Sequence, residues 1–141
     1  MDTEIESRFR TAGLEVIGQP EVDGGPSVEQ AFRRVVHIDA EPVERIQRNT
    51  ADAPGRLDEA WRARARAGGV LSEDGTCLVA AGMKGGWVHV RLTEDSDISA
   101  LRSPDGDLLL IARSPSGHRV CAASTEGGDY WILEEDFPGP A

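Results

Sequence analysis

Aromatic side chains are scarce in this chain at 5%, lysine occurs once, and there are only two cysteines. Each shortage excludes something. Two cysteines, Cys77 and Cys121, are too few for a disulfide-stapled scaffold and read as two small, semi-buried thiols. No stretch approaches the ~18 consecutive apolar residues of a membrane span. The acidic N-terminus lacks the basic and apolar regions of a signal peptide, so the expected location is cytoplasmic. Cations are outnumbered: 15 Lys and Arg face 25 Asp and Glu, for a formal charge of −10. That balance argues against a nucleic-acid binder, whose affinity rests on phosphate neutralisation, and against docking on an anionic membrane. Fourteen of the fifteen cations are arginine, a bias of the kind expected from a GC-rich bacterial genome.

What is present is an ordinary globular complement. Apolar residues make up 39% of 141, enough for one buried core without a staple. Residues 1–137 read as a single domain, and 138–141, Pro-Gly-Pro-Ala, as a frayed tail. The charge is uneven: residues 1–67 carry −3 and residues 68–141 carry −7.

The first half carries helical signals. Thr3 and Glu6 have capping-box spacing, with Ile5, Phe9 and Ala12 at helical intervals before Gly13. Leu14 to Ile17 reads as a short strand. Ser27 and Gln30 repeat the capping box, and Val28, Phe32, Val35 and Val36 fall on one helical face. The stretch from Val35 to Ile38, with His37 read as a structural histidine, leaves helix and strand open. Pro42 suits a first helical turn with Val43 and Ile46 facing the core, and Ala53-Pro54-Gly55 ends that piece. Leu57, Trp61 and Ala65 define a further helix, closed by Gly68-Gly69. Its Arg62, Arg64 and Arg66 follow Asp58 and Glu59, the order that a helix dipole favours.

From Val70 onward the period becomes two. Cys77 to Ala81 and Trp87 to Leu92 flank a turn around Lys84-Gly85-Gly86. In the second run Val88, Val90 and Leu92 share one face and Trp87, His89 and Arg91 the other, which is the polar, solvent-facing side. Two similar turns, Ser103-Pro104-Asp105-Gly106 and Ser114-Pro115-Ser116-Gly117, bracket Leu108 to Ile111, apolar on both faces and therefore a central strand. His118 to Ala123 and Tyr130 to Leu133 complete the set. The expected fold is α+β: N-terminal helices packed on one face of a C-terminal antiparallel meander of about five strands.

Chemical motifs are few. The glycines around Lys84 do not form a phosphate loop, which needs Gly-x4-Gly-Lys-Ser/Thr entering a helix. Cys77, His89, His118 and Cys121 could be drawn as a zinc set, but no tight Cys pair is present, and the spacing of His118 and Cys121 puts them on opposite strand faces. The run Glu94, Asp95, Asp97 lacks the glycine and terminal glutamate of a calcium loop. No Gly-x-Ser-x-Gly elbow occurs. Neither metal nor cofactor is expected.

What remains is charge. The leading expectation is a non-enzymatic acidic binding module, of the inhibitor, immunity or chaperone kind, for a basic protein partner. Glu94, Asp95 and Asp97 would steer that partner, and Trp87 or Trp131 would anchor it. The alternative is a small cofactor-free enzyme, a cyclase or isomerase, with a pocket between sheet and helices. There His89 would act as base, Arg91 as anion clamp and Trp87 as stacking wall. An exposed sheet edge would also give a route to a homo-oligomer.

Overall fold

The computed structural model describes residues 3–19, 26–36, 40–80, 86–103, 106–115, 117 and 119–137. His37, Lys84, Pro104, Asp105, Ser116, His118 and the tail 138–141 lie outside them. Three α-helices are present: α1 (Thr3–Thr11), α2 (Val28–Val35) and α3 (Ala53–Ala67). Seven strands follow in the order β1 (Glu15–Gly18), β2 (Glu44–Gln47), β3 (Thr76–Ala80), β4 (Trp87–Arg91), β5 (Leu109–Arg113), β6 (Arg119–Glu126) and β7 (Asp129–Asp136). They form one antiparallel sheet ordered β1-β4-β3-β5-β6-β7-β2. The fold is therefore α+β with an antiparallel sheet.

Two features of the expected arrangement are corrected. The sheet has seven strands, because two short segments of the N-terminal half add to its opposite edges. One is the strand read at Leu14 to Ile17. The other, Glu44–Gln47, lies where Pro42 suggested a helical turn. It alternates faces instead: Ile46 packs on the core beneath α3, whereas Arg45 stands 5.1 Å from the Trp131 ring on the opposite side. Bonds from Val43 N–H to Ile132 O (2.8 Å) and from Arg48 N–H to Gly128 O (2.9 Å) hold it to β7. Ala53-Pro54-Gly55 then opens α3 rather than closing a helix, with Pro54 in the first turn, where its missing N–H costs nothing.

The second correction is that the helices cover both faces. One face carries α1 and α3 over Cys77, Val79, Val88, Val90, Cys121 and Ile132, with Trp61 fully buried at its centre. Trp61 Nε1 donates to Cys121 O at 3.3 Å, so the indole is satisfied as well as packed. The other face carries α2, whose Val28, Ala31 and Val35 meet Leu78, Trp87, Ile111, Ala122 and Leu133. The reason lies in the strands: in β3, β5 and β6 consecutive residues are apolar, and a strand with no polar side needs cover twice. The Ser27 capping box forms as read, with Gln30 N–H donating to Ser27 Oγ and Ser27 N–H to Gln30 Oε1.

β5 is the middle strand of the sheet. Leu108, Leu110 and Ile111 are buried, but Leu109 is half exposed, so the run is not covered on both faces throughout. Hydrogen exchange is expected to be slowest at Leu110 to Ala112 and along β6, and fastest at β1 and β2, which have one neighbour each. Replacing Trp61 by alanine is expected to cost about 3–5 kcal/mol in urea denaturation, the range for deleting a buried aromatic.

Candidate functional site: an acidic corner of the sheet

The site is set by the register of the β3–β4 hairpin. Thr76 lies opposite Arg91, and β1 adds Glu15 beyond it. That alignment carries the turn Ser72–Gly75, which enters β3, alongside the segment 92–97, which leaves β4. Leu92 N–H donates to Gly75 O at 2.9 Å, tying the two together. A Cβ on Gly75 would sit 2.7 Å from Leu92 O, and Gly75 has φ +82°, so both contact and conformation demand glycine.

Two acidic turns thus lie side by side. Glu73 and Asp74 come from one, Glu94 and Asp95 from the other, and all four side chains are exposed. Arg91 pairs with Glu15 at 3.3 Å. Among the described residues, Glu73, Glu94 and Asp95 have no ion-pair partner. The sequence reading missed Glu73 and Asp74, because their juxtaposition with Glu94 and Asp95 depends on strand register. The signal available was the Asp74-Gly75 turn before an alternating run, which marks a hairpin neighbour without stating its register.

The loop that carries Glu94, Asp95 and Asp97 is fastened down. Asp97 N–H donates to Ala12 O at 2.8 Å, and Ser96 Oγ donates to Gly13 O at 2.6 Å. Gly13, with φ +81°, leaves no room for a Cβ, which would meet Asp95 O at 2.7 Å. Asp97 is also exposed, but its carboxylate is engaged by its own chain, accepting from Ser99 N–H (3.0 Å) and Ser99 Oγ (2.6 Å) to cap a 3₁₀ turn at Ile98–Leu101. A cation also reaches this loop from elsewhere: Arg62 of α3 donates to Thr93 O at 2.9 Å while paired with Asp58 at 3.1 Å. No basic residue lies between Arg91 and Arg102 in sequence, but the fold supplies one. Of the three acids singled out, Glu94 and Asp95 remain outward-facing and Asp97 is structural.

The aromatic anchors are not at this corner. Trp87 begins β4, roughly 20 Å along the strand from Thr93, and only 6% of it is exposed. Its Nε1 donates to Pro26 O at 3.1 Å, and the Arg113 guanidinium lies 5.7 Å from its ring. Trp131 sits on β7, four strands from β4 and roughly 19 Å away across the sheet. Its ring packs against the core under α2 and beside Arg45, with Nε1 buried and unbonded.

Trp87, His89 and Arg91 do share a sheet face, but it is the face that α2 covers. Trp87 is enclosed, Arg91 is held by Glu15, and His89 is half-buried between them. None of the grooves formed by the described residues alone is lined by any of the three. A groove of about 800 Å³ lies elsewhere, between β2 and α3.

The four residues weighed as a zinc set are also separated. Cys77 and Cys121 share the face under α3, His89 stands on the opposite face, and His118 is outside the described residues. Both thiols are fully buried, not semi-buried. Burial pushes Cys77 up to about 12, and it raises Cys121 with help from the nearby Glu134 charge. Comparison of the chain with protein-family models, curated proteins and solved structures finds no match.

Asp74 shows how the corner is built. Its carboxylate accepts from Ser72 Oγ (2.6 Å), Thr76 Oγ1 (2.7 Å) and Thr76 N–H (3.2 Å), and these bonds hold its pKa down at about 2. The folded value lies below the ordinary 3.8, so the stabilisation is complete above about pH 4 and is lost as pH falls towards 2. An NMR titration of Asp74 is expected to find its midpoint near 2. Asp74→Asn is expected to flatten the stability–pH curve over that window and nowhere else.

Proposed function

We propose that this chain is a non-enzymatic acidic binding module, of the inhibitor, immunity or chaperone kind, that receives a basic protein on the corner formed by residues 72–75 and 92–97. The observation that supports this reading is the bond from Leu92 N–H to Gly75 O, which ties together two turns that carry the exposed acids Glu73, Asp74, Glu94 and Asp95. Among the described residues Glu73, Glu94 and Asp95 have no ion-pair partner, so an incoming Lys or Arg would meet open carboxylates there. Fixed loops also lose little entropy on binding, an advantage over a mobile acidic loop.

Exposed pairs of this kind contribute only about 0.2–1 kcal/mol each, so the corner sets encounter rate and specificity, not residence time. A buried anchor must supply the rest. Trp87 is enclosed and Trp131 lies across the sheet, so neither reaches a partner centred here. Ile17, 45% exposed and two residues along β1 from Glu15, is the apolar side chain next to the corner. No specific observation favours the cyclase or isomerase alternative built on His89, Arg91 and Trp87.

The test begins with affinity capture from lysate of the source cell, which is expected to recover a basic protein in stoichiometric amount. Glu73→Lys/Glu94→Lys/Asp95→Lys leaves the described hydrogen bonds of both turns in place. It is expected to slow association with that protein tenfold or more at low salt and to flatten the salt dependence. Ile17→Ala is expected to act mainly on dissociation. Recovery of no basic protein, or equal low-salt association rates for wild type and triple reversal, would overturn the reading.

A further inference from the structure

The two sheet edges are not equivalent. β1 pairs with β4 through a bulge between Val16 and Gly18, an irregularity that spoils further strand addition. β2 pairs with β7 in unbroken register over all four of its residues, and no described residue covers its outer side. Glu44, Ile46 and Arg48 lie in register with Ile132, Tyr130 and Gly128, and the bond from Arg48 N–H to Gly128 O fixes which backbone groups turn inward. By strand alternation the N–H and C=O of Arg45 and the N–H of Gln47 turn outward. Both Arg45 and Gln47 are exposed, and Arg45 points its side chain to the face of Trp131.

We infer that β2 is the interface through which two copies of this chain pair, antiparallel and two-fold about Ile46. Hydrogen-bond parity allows only registers in which outward residues face one another, and three do so. Centring on Arg45 would set it against the Arg45 of the second copy. Centring on Gln47 would set Ile46 against Arg48. Centring on Ile46 sets Arg45 against Gln47, Glu44 against Arg48 twice over, and Ile46 against itself. This register alone is complementary at every position, and charges that would otherwise deter edge pairing become its selector.

Side-chain direction supports the same arrangement. Glu44, Ile46 and Arg48 all point to the α3 side: Glu44 lies 3.5 Å from Arg64, Ile46 packs on the core, and Arg48 lies over the Tyr130 ring. The paired Ile46 side chains would extend that core across the two-fold axis, below the Ala60, Ala63 and Ala67 stripe of α3 that forms the groove wall. Arg48 is held only by weak contacts that a facing Glu44 could replace: long bonds to Gly106 O (3.4 Å) and Gly127 O (3.5 Å), a 4.0 Å pair with Asp107 and the Tyr130 ring. An interface of this size belongs to the weak, concentration-dependent class. The proposal is independent of the acidic corner, which lies by the β1 edge.

Sedimentation equilibrium over a concentration series tests it. The weight-average mass of the wild type is expected to climb from 15.2 kDa towards twice that value. Gln47→Pro removes an outward N–H that β7 does not use, a place where edge strands accept proline. It is expected to stay monomeric with an unchanged circular dichroism spectrum. Glu44→Arg alone is expected to abolish association by setting like charges opposite. Glu44→Arg/Arg48→Glu is expected to restore it, although the double variant repairs none of the contacts within one chain. A wild type monomeric at every concentration would overturn the proposal, whether or not another protein's strand occupies the edge. So would association that survives Gln47→Pro, or a double variant no better than the single one.

Discussion

Arg113 holds a guanidinium where only 1% of the residue reaches solvent, and the second face of the sheet is organised around that group. Burial lowers its pKa, and the charge persists only with acceptors close at hand. Pro26 O is one of them, at 2.9 Å from Nη1, and the same carbonyl accepts Trp87 Nε1 at 3.1 Å. A single backbone oxygen just before α2 therefore ties the helix to β4 and β5 together. The Ser27 capping box follows at once, and Val28, Ala31 and Val35 are set down on the apolar strip behind it. The hydrogen bonds carry direction, which the apolar contact lacks, and that direction fixes where along the sheet α2 lies.

Arginine plays the same part elsewhere. Arg8 donates to Leu101 O, Arg102 to Ser99 O, and Arg119 joins Glu134 and Asp136 while passing under Gly68 at the end of α3. Several cations are thus spent on backbone carbonyls rather than on carboxylates alone.

Much of the architecture was legible in the chain. The Ser27-x-x-Gln30 box and the Leu57, Trp61 and Ala65 stripe follow from local chemistry and appear as read, and the alternation from Trp87 gives a strand, though not the solvent-facing side read for Trp87, His89 and Arg91. What escaped depends on pairing over long distances. Glu44 to Gln47 has one apolar residue and no β-branched run, and it becomes a strand because β7 offers it an edge. Trp87 looked like an exposed anchor because its strand alternates with valine, yet the consecutive apolar pairs Leu78-Val79 and Ile111-Ala112 already announced a sheet with no open face. The partnership of Glu73 with Glu94 needed the hairpin register, which no local pattern states.

The two edge strands have a consequence for how the chain is made. β1 and β2 are synthesised well before the strands they pair with: β1 has no partner until β4 is made and β2 none until β7. Neither can be stored as a hairpin, because every hydrogen-bonded neighbour they acquire lies far downstream. The N-terminal third must therefore wait, with the apolar sides of α2 and β2 uncovered, until synthesis of the sheet is nearly complete. Folding is accordingly a late, whole-chain event, slowed by the closure of loops that span most of the domain. Negative charge disfavours association of such a waiting segment, a benefit to the nascent polypeptide as well as to the finished molecule.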